Sequence, residues 1–256
     1  MKIAIIIEDV NRIAGQERVV AELVTRLVAR HEVHVFCYTA EGLPAQAIIH
    51  KLCQPPLRFF MVRALWMVLA SWFVVRPRQF EVVLAQGGNA LNQTHTLVHG
   101  CLARRWELTR TAYWRLRPPS PWERLVRTVW YSLVVALERR AVLRCRNGRT
   151  LAVSHELAEL LSRYHGVPQE GILVCENGLD HERFRPDPAD PARQELRGKL
   201  GLGASSRGLG TNHLLLPGCF RLQGIRPTGH CITRRRFAAA LIDIVGKTIR
   251  LPNTMS

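Results

Sequence analysis

Residues 2–37, KIAIIIEDVNRIAGQERVVAELVTRLVARHEVHVFC, decide the fold class. Ile3 to Ile7 form a short, unbroken apolar run rich in isoleucine, the pattern of a parallel strand covered on both faces. After a polar turn the period changes. Val19, Val20, Leu23, Val24, Leu27 and Val28 recur at helical spacing, with Glu22, Arg26 and Arg30 on the opposite side, so Glu17–Arg30 reads as an amphipathic helix. Glu32–Cys37 is then a second strand. The three segments make one β-α-β unit, for which a right-handed crossover is expected.

The alternation continues along the chain. Strands are expected at Glu81–Ala85, Thr96–His99, Thr150–Val153 and Ile172–Cys175, separated by helical or mixed segments, which predicts an α/β, Rossmann-like doubly wound parallel sheet. The proline-punctuated stretch Pro186-Asp187-Pro188-Ala189-Asp190-Pro191 marks a connector, followed by a short helix over about residues 192–200. The expected organisation is a domain over 1–185, a crossover over 186–203, and an aberrant or incomplete start of a second domain over 204–256. That last segment carries eight basic residues, a single acid (Asp243) and little periodicity, and is expected to be an irregular, poorly ordered tail.

Charge is unevenly placed. The chain of 256 residues has 36 Lys+Arg against 20 Asp+Glu, a net charge of +16, and residues 58–149 alone hold sixteen basic and four acidic side chains. Only four of the basic residues are lysines, and a GC-rich coding bias would favour Arg over Lys. Such a bias does not explain the missing acids, and the asymmetry calls for an anionic partner. Seven scattered cysteines without a C-x-x-C pair indicate neither a disulfide framework nor a zinc site, and no metal is expected. The amino-terminal apolar run is too short for a signal peptide, so a reducing, cytoplasmic setting is the simplest expectation. Asn92-Gln93-Thr94 fits the glycosylation sequon, but such triplets are frequent by chance.

Two segments bear on membranes. Residues 59–75, FFMVRALWMVLASWFVV, are seventeen residues interrupted by Arg63, short of the roughly 20 that a spanning helix needs. They are read as a buried helix of the α/β layer. Residues 122–146 repeat Trp122, Leu125, Val126, Val129, Trp130, Leu133, Val134 and Leu137 among six arginines. A basic amphipathic helix with tryptophan suits an anionic bilayer surface, and also suits a solvated outer helix. Basic clustering equally suits nucleic acid, but no RNP motif, zinc finger or helix-turn-helix accompanies it, so nucleic acid is not the expected partner.

Chemistry is suggested at few places. Gly15, in the turn before the first helix, reads either as an ordinary turn residue or as a glycine that admits a phosphate to the helix amino terminus. There is no G-x-G-x-x-G. His99, ending a strand in Thr96-Leu97-Val98-His99-Gly100, reads either as a hydroxyl-facing imidazole or as a histidine satisfied by backbone; His95 is a weaker candidate.

Residues 14–36, AGQERVVAELVTRLVARHEVHVF, and residues 153–186, VSHELAELLSRYHGVPQEGILVCENGLDHERFRP, resemble in order and spacing the family-four-type glycosyltransferases of GT-B fold. The first run is similar to G-G-x-E-R followed by a helix and H-x-V-x-V; the second to V-S…Y-G-V-P…N-G-V-D…F-x-P. The resemblance implies two Rossmann-like domains facing across a cleft, this chain supplying the acceptor-side one. It implies retaining transfer of a hexosyl group from a nucleotide-sugar to a cell-envelope glycan or lipid-linked acceptor, without metal or other cofactor. Carried onto this sequence, Ala14 and Gly15 stand in the glycine loop near the donor phosphate, His99 is the catalytic candidate, and Ser154 and Asn177 are substrate-side or interdomain positions. Lipopolysaccharide-like or polysaccharide acceptors, with the +12 region in the acceptor half, imply peripheral attachment at the inner face of the membrane.

The sequence departs from the family where the second domain should begin. No glutamate follows Glu195, so the donor-binding E-x7-E is missing, and Gln223 stands where a Lys-Gly loop would carry its lysine. Glutamine cannot stabilise a leaving diphosphate by charge. The expectation is a chain truncated or frameshifted after residue 203 and inactive alone, with a non-catalytic basic binding protein as the alternative.

Overall fold

The computed structural model describes residues 1–11, 15–56, 60–145, 147–177 and 191–199. The described residues fall into two units, one over residues 1–177 and one holding residues 191–199. In the second unit the described residues are a helix, Pro191–Lys199, close to the expected 192–200. The expected domain boundary at 185 and the tail 204–256 lie outside the described residues.

The first unit holds a seven-stranded sheet, every pair parallel. Its strands, with a small parallel pair formed by β2 and β4, are β1 (Lys2–Ile6), β2 (Asp9–Val10), β3 (Glu32–Cys37), β4 (Thr39–Ala40), β5 (Ile48–Lys51), β6 (Val82–Gln86), β7 (His95–Val98), β8 (Thr150–Ala152) and β9 (Ile172–Val174). The helices of this unit are α1 (Gly15–Leu27), α2 (Phe60–Val74), α3 (Leu102–Leu108), α4 (Trp114–Leu116), α5 (Pro121–Arg144) and α6 (His155–His165), a π turn over Thr109–Tyr113 joining α3 to α4. The sheet order is β5-β3-β1-β6-β7-β8-β9. The chain therefore winds outward from β1 in one direction, returns to its other side at β6, and winds outward in the other. Between β1 and β6 the order reverses, and in open parallel sheets the crevice beyond the carboxyl ends of such a strand pair is where ligands bind.

Both faces of the sheet are covered, which is why the strands read as continuous apolar runs. Ile3, Ile5 and Ile7 point into one core with Val20, Leu23, Val24 and Leu27 of α1, while Ala4 and Ile6 point into the other with Phe36, Val83 and Met67 of α2. Farther along, Val98 and Ala152 pack on Val142 of α5 and Leu157 and Leu161 of α6. The first β-α-β unit is as read from the sequence. The edge strand β5 was not read: it has four residues, and Ile48 and Ile49 are both exposed, so neither alternation nor a buried run announces it.

Helix α2 differs from the sequence reading. Its Met67 and Ser71 are buried, but Leu69, Trp72, Phe73 and Val74 are exposed, Phe73 by 73%. A helix on a sheet buries one stripe only, and a segment apolar on all sides does not say which stripe or what the rest meets. Asn92 closes the end of this helix, donating its amide to the Ser71 and Val75 carbonyls at 3.3 and 2.7 Å. That buried side chain is not available as a glycan acceptor.

One charged contact ties the second half together. Glu138 of α5 is 2% exposed and accepts the Leu102 N–H at 2.9 and 3.2 Å through its two oxygens. Its Oε2 also lies 2.8 Å from His165 Nε2, at the carboxyl end of α6. Burial alone would lower the His165 pKa, but hydrogen bonds with Cys101 and Glu138 and the carboxylate's charge outweigh it and raise it to about 9. The imidazolium also sits favourably at a helix carboxyl terminus.

The sign of the pH dependence follows. His165 has a folded pKa above its ordinary value of about 6.5, so its contribution is complete below that pH and is lost as pH rises through about 9. His95 and His99 are lowered to about 4 by burial and act oppositely, their contribution disappearing as pH falls from about 6.5 through 4. Together these histidines place a stability maximum near pH 6.5 in urea denaturation. H165Q is expected to lose on the order of 3 kcal/mol, because it leaves a buried carboxylate without its countercharge, and to flatten the decline between about pH 6.5 and 8.5. An H165Q profile that keeps the wild-type decline would show that another group causes it.

Candidate functional site

Beyond the carboxyl ends of β1, β6 and β7 lies a crevice of about 440 Å³. Four chain segments build its walls: Ile7-Glu8-Asp9 after β1, Gln16 and Glu17 at the start of α1, Gln86 to Asn89 after β6, and Leu97 to Leu102 after β7, with Arg105 and Glu138 completing it. The loop after β6 turns at Gly87, whose φ of +53° is a left-handed conformation that favours glycine. A Cβ on Gly88 would stand 3.4 Å from the Glu138 backbone nitrogen, so this loop passes close against α5. Thr96 Oγ1 donates to the Gly87 carbonyl at 3.0 Å and fixes the turn to β7.

Two polar side chains in the lining have unused capacity. Both amide atoms of Gln86 and the Nε2 of His99 are buried and have no hydrogen-bond partner among the described residues. Buried polar groups are nearly always paired, so these atoms mark unsatisfied polar capacity within the crevice wall. With its pKa lowered to about 4, His99 is neutral at pH 7.

The electrostatics do not favour an anion deep in the crevice. Glu8, Asp9, Glu17 and Glu138 line it against Arg105. Arg63 of α2, which interrupts the apolar run, bonds Asp9, lies 3.7 Å from Glu8, and stacks over Tyr38 with its guanidinium 5.0 Å from the ring centre. Burial raises the Glu8 pKa, and the neighbouring Asp9 adds to this while Arg63 opposes it.

Of the residues singled out from the sequence, His99 lines the crevice, just past the end of β7. Gly15 opens α1 beside the lining residues Gln16 and Glu17; a Cβ there would meet nothing within 4 Å, and Glu17 in the first turn offsets the pull of the helix terminus on a phosphate. Ala14 lies outside the described residues. Ser154 caps α6, its hydroxyl accepting the Leu157 N–H at 3.1 Å, and Asn177 is exposed. Neither belongs to the crevice lining. His95 is buried at the start of β7 with its Nδ1 2.9 Å from Thr94 Oγ1.

Sequence reasoning missed Gln86, Gly87, Gly88, Arg105 and Glu138. A Gln-Gly-Gly-Asn run after an expected strand was the available signal; the glutamate, in a Leu-Glu-Arg-Arg context, had none. Among the described residues, one set could hold a metal ion: Cys101, Glu138 and His165, with ligand atoms within 4.8 Å of one another. Here Glu138 is occupied by the Leu102 N–H and His165, so the set already closes as a hydrogen-bonded ion pair.

Comparison with known proteins agrees with this architecture. The model of Glycosyltransferase Family 4 matches residues 13–183. The solved structure of WaaG, a glycosyltransferase involved in lipopolysaccharide biosynthesis, superposes with a TM-score of 0.54 at 13% identity, covering 78% of this chain and 52% of that one. Sucrose-phosphate synthase from Thermosynechococcus elongatus gives a TM-score of 0.50 at 14% identity, covering 80% and 53%. Likeness at such identities establishes the fold, and the chain spans about half the length of these structures. No curated protein matches in sequence. With most of its length matched by the family model and the sheet order and crevice of a Rossmann-like domain, the chain belongs to Glycosyltransferase Family 4.

Proposed function

We propose that this chain is the acceptor-binding half of a retaining hexosyltransferase that moves a sugar from a nucleotide-sugar to a cell-envelope glycan or glycolipid. The observation that carries the reading is the switch-point crevice with unpaired Gln86 and His99 atoms in an acid-rich lining. Such a lining suits a hydroxylated, uncharged sugar ring better than a diphosphate, which supports the acceptor over the donor as its occupant. Membership in the family and the likeness to WaaG support a lipopolysaccharide-type acceptor.

His99 has a definite part in this reading. General-base catalysis is most effective with a pKa near the working pH, and a pKa of about 4 lies well below that. His99 therefore helps to position the acceptor and leaves the hydroxyl proton to another group, consistent with a reaction in which the departing diphosphate takes it up. No metal or other cofactor enters the proposal.

Attachment to membrane belongs to the same proposal. Trp72, Phe73 and Val74 of α2 and Trp122, Leu125 and Val129 of α5 are exposed, in the region where arginine outnumbers acid. No helix among the described residues is long and apolar enough to cross a membrane. Aromatic side chains beside arginines suit peripheral adsorption to anionic lipid.

Isothermal titration of the chain with a lipopolysaccharide core oligosaccharide is expected to show binding that weakens about tenfold in H99F and in Q86L, the loss of one buried hydrogen bond each. Wild-type affinity in both variants would remove the crevice from the acceptor site, and micromolar binding of a nucleotide-sugar would overturn the assignment of donor binding elsewhere. Sedimentation with vesicles should show adsorption to anionic but not neutral lipid, reduced by salt and by W72S/F73S. Identical partitioning into both vesicle types would exclude the membrane role.

A further inference from the structure

Helices α2 and α5 stand apart along part of their length, and a groove of about 590 Å³ runs between them. Ala64, Leu65 and Val68 form one wall, Val126, Trp130 and Leu137 the other, and all six are half-buried. The size is that of a small-molecule site. Tyr131, also in the lining, is held by stacking on Trp106, ring centres 4.6 Å apart at 15°, which stiffens that side.

The groove is not separate from the crevice. Gly88, Asn89, Leu102 and Arg105 line both, so an apolar trough opens at one end into a polar pocket, with a guanidinium at the junction. Arg127 and Glu123 also line the groove and offset each other, so Arg105 is its net positive charge. Polar pocket, cation and apolar trough in series match the parts of one kind of ligand: a sugar, an anionic group and a hydrocarbon chain. A protein partner or a second copy of the chain would fill the trough without accounting for the charge or for its continuity with the crevice.

We propose that the groove holds the hydrocarbon chain of a lipid-phosphate-linked acceptor, with the phosphate at Arg105 and the sugar in the crevice. The inference rests on the acceptor reading above and adds that the lipid itself is recognised, by a trough distinct from the exposed Trp72 and Phe73 of α2, while the exposed Trp122 of α5 belongs to its lining. Trp72 and Phe73, which lie outside the groove lining, would meet the bilayer surface, while the trough would receive one chain drawn out of it.

The probe is dodecyl phosphate, kept below its micellar concentration and titrated into the full chain by tryptophan fluorescence and calorimetry. Saturable binding is expected, weakened about tenfold by A64W, which fills the trough from α2, and similarly by V126W from α5; R105Q should weaken it several-fold. W72S/F73S should bind the probe as wild type while losing vesicle adsorption, so crest and trough separate. Wild-type circular dichroism and core-oligosaccharide affinity in A64W would show an intact fold and crevice. Absent binding, or binding equal in wild type, A64W and V126W, overturns the inference. If the oligosaccharide binds and dodecyl phosphate does not, the acceptor reading stands and the trough assignment falls. If dodecyl phosphate binds the trough and the oligosaccharide binds nowhere, the crevice reading falls and the trough remains a lipid site. A monomer–dimer shift caused by A64W without probe binding would identify the trough as an interface between copies and reject the lipid.

Discussion

The carboxylate of Glu138 is the point on which the site's geometry depends. Its two oxygens hold the Leu102 N–H, so the loop carrying His99, Gly100 and Cys101 is pinned to α5 immediately after β7. The Gly88 loop passes against the backbone of the same residue, and α6 reaches it through His165. Three walls and supports of one crevice therefore meet at a single residue. A buried carboxylate is costly unless its oxygens are occupied, and the backbone donor with an imidazolium occupies them. A hydrophobic replacement could fill the volume but would leave the amino terminus of α3 without an acceptor.

The sheet topology gives that anchoring its use. Because the winding reverses between β1 and β6, the loops after these two strands diverge and leave a space that α1 and the β7 loop border. The same divergence places α2 and α5 on one side of the crevice, each burying only one stripe. What remains between them is mostly apolar, and outside them exposed Trp72, Phe73, Leu125 and Val129 stand among exposed arginines. Trough and crest are thus two consequences of one arrangement, and the proposed division between a lipid-chain site and a membrane-facing surface rests on their different depths.

The alternating core was legible in the sequence because local period and tertiary role agree: Ile3 to Ile7 are apolar since both sheet faces are covered, and Val20, Leu23, Val24 and Leu27 keep helical spacing since α1 buries one stripe. His99 was legible as a strand-end residue, and the family through two ordered motifs. Glu138 was not, since its partners Leu102 and His165 are 36 and 27 residues away and its neighbours Arg139 and Arg140 make the segment look solvated. Gln86 was hidden for the opposite reason: its strand-end position is ordinary, and only the lack of a partner in the fold sets it apart. The outer face of α2 escaped because hydrophobicity on every side of a helix carries no direction.

The arginines show why a net charge alone misleads about partners. Arg63 does not contribute to a positive surface in any simple way; it answers Glu8 and Asp9 at the end of β1 and stacks on Tyr38. Arg104 likewise pairs with Glu107 at 2.7 Å. Arg105 and Arg127, by contrast, are exposed and line an apolar trough that Glu123 also lines. A diffuse positive face would attract any polyanion, nucleic acid included. The proposed lipid-linked acceptor rests on a cation placed between a polar crevice and an apolar groove, and on this placement more than on the sum of +16.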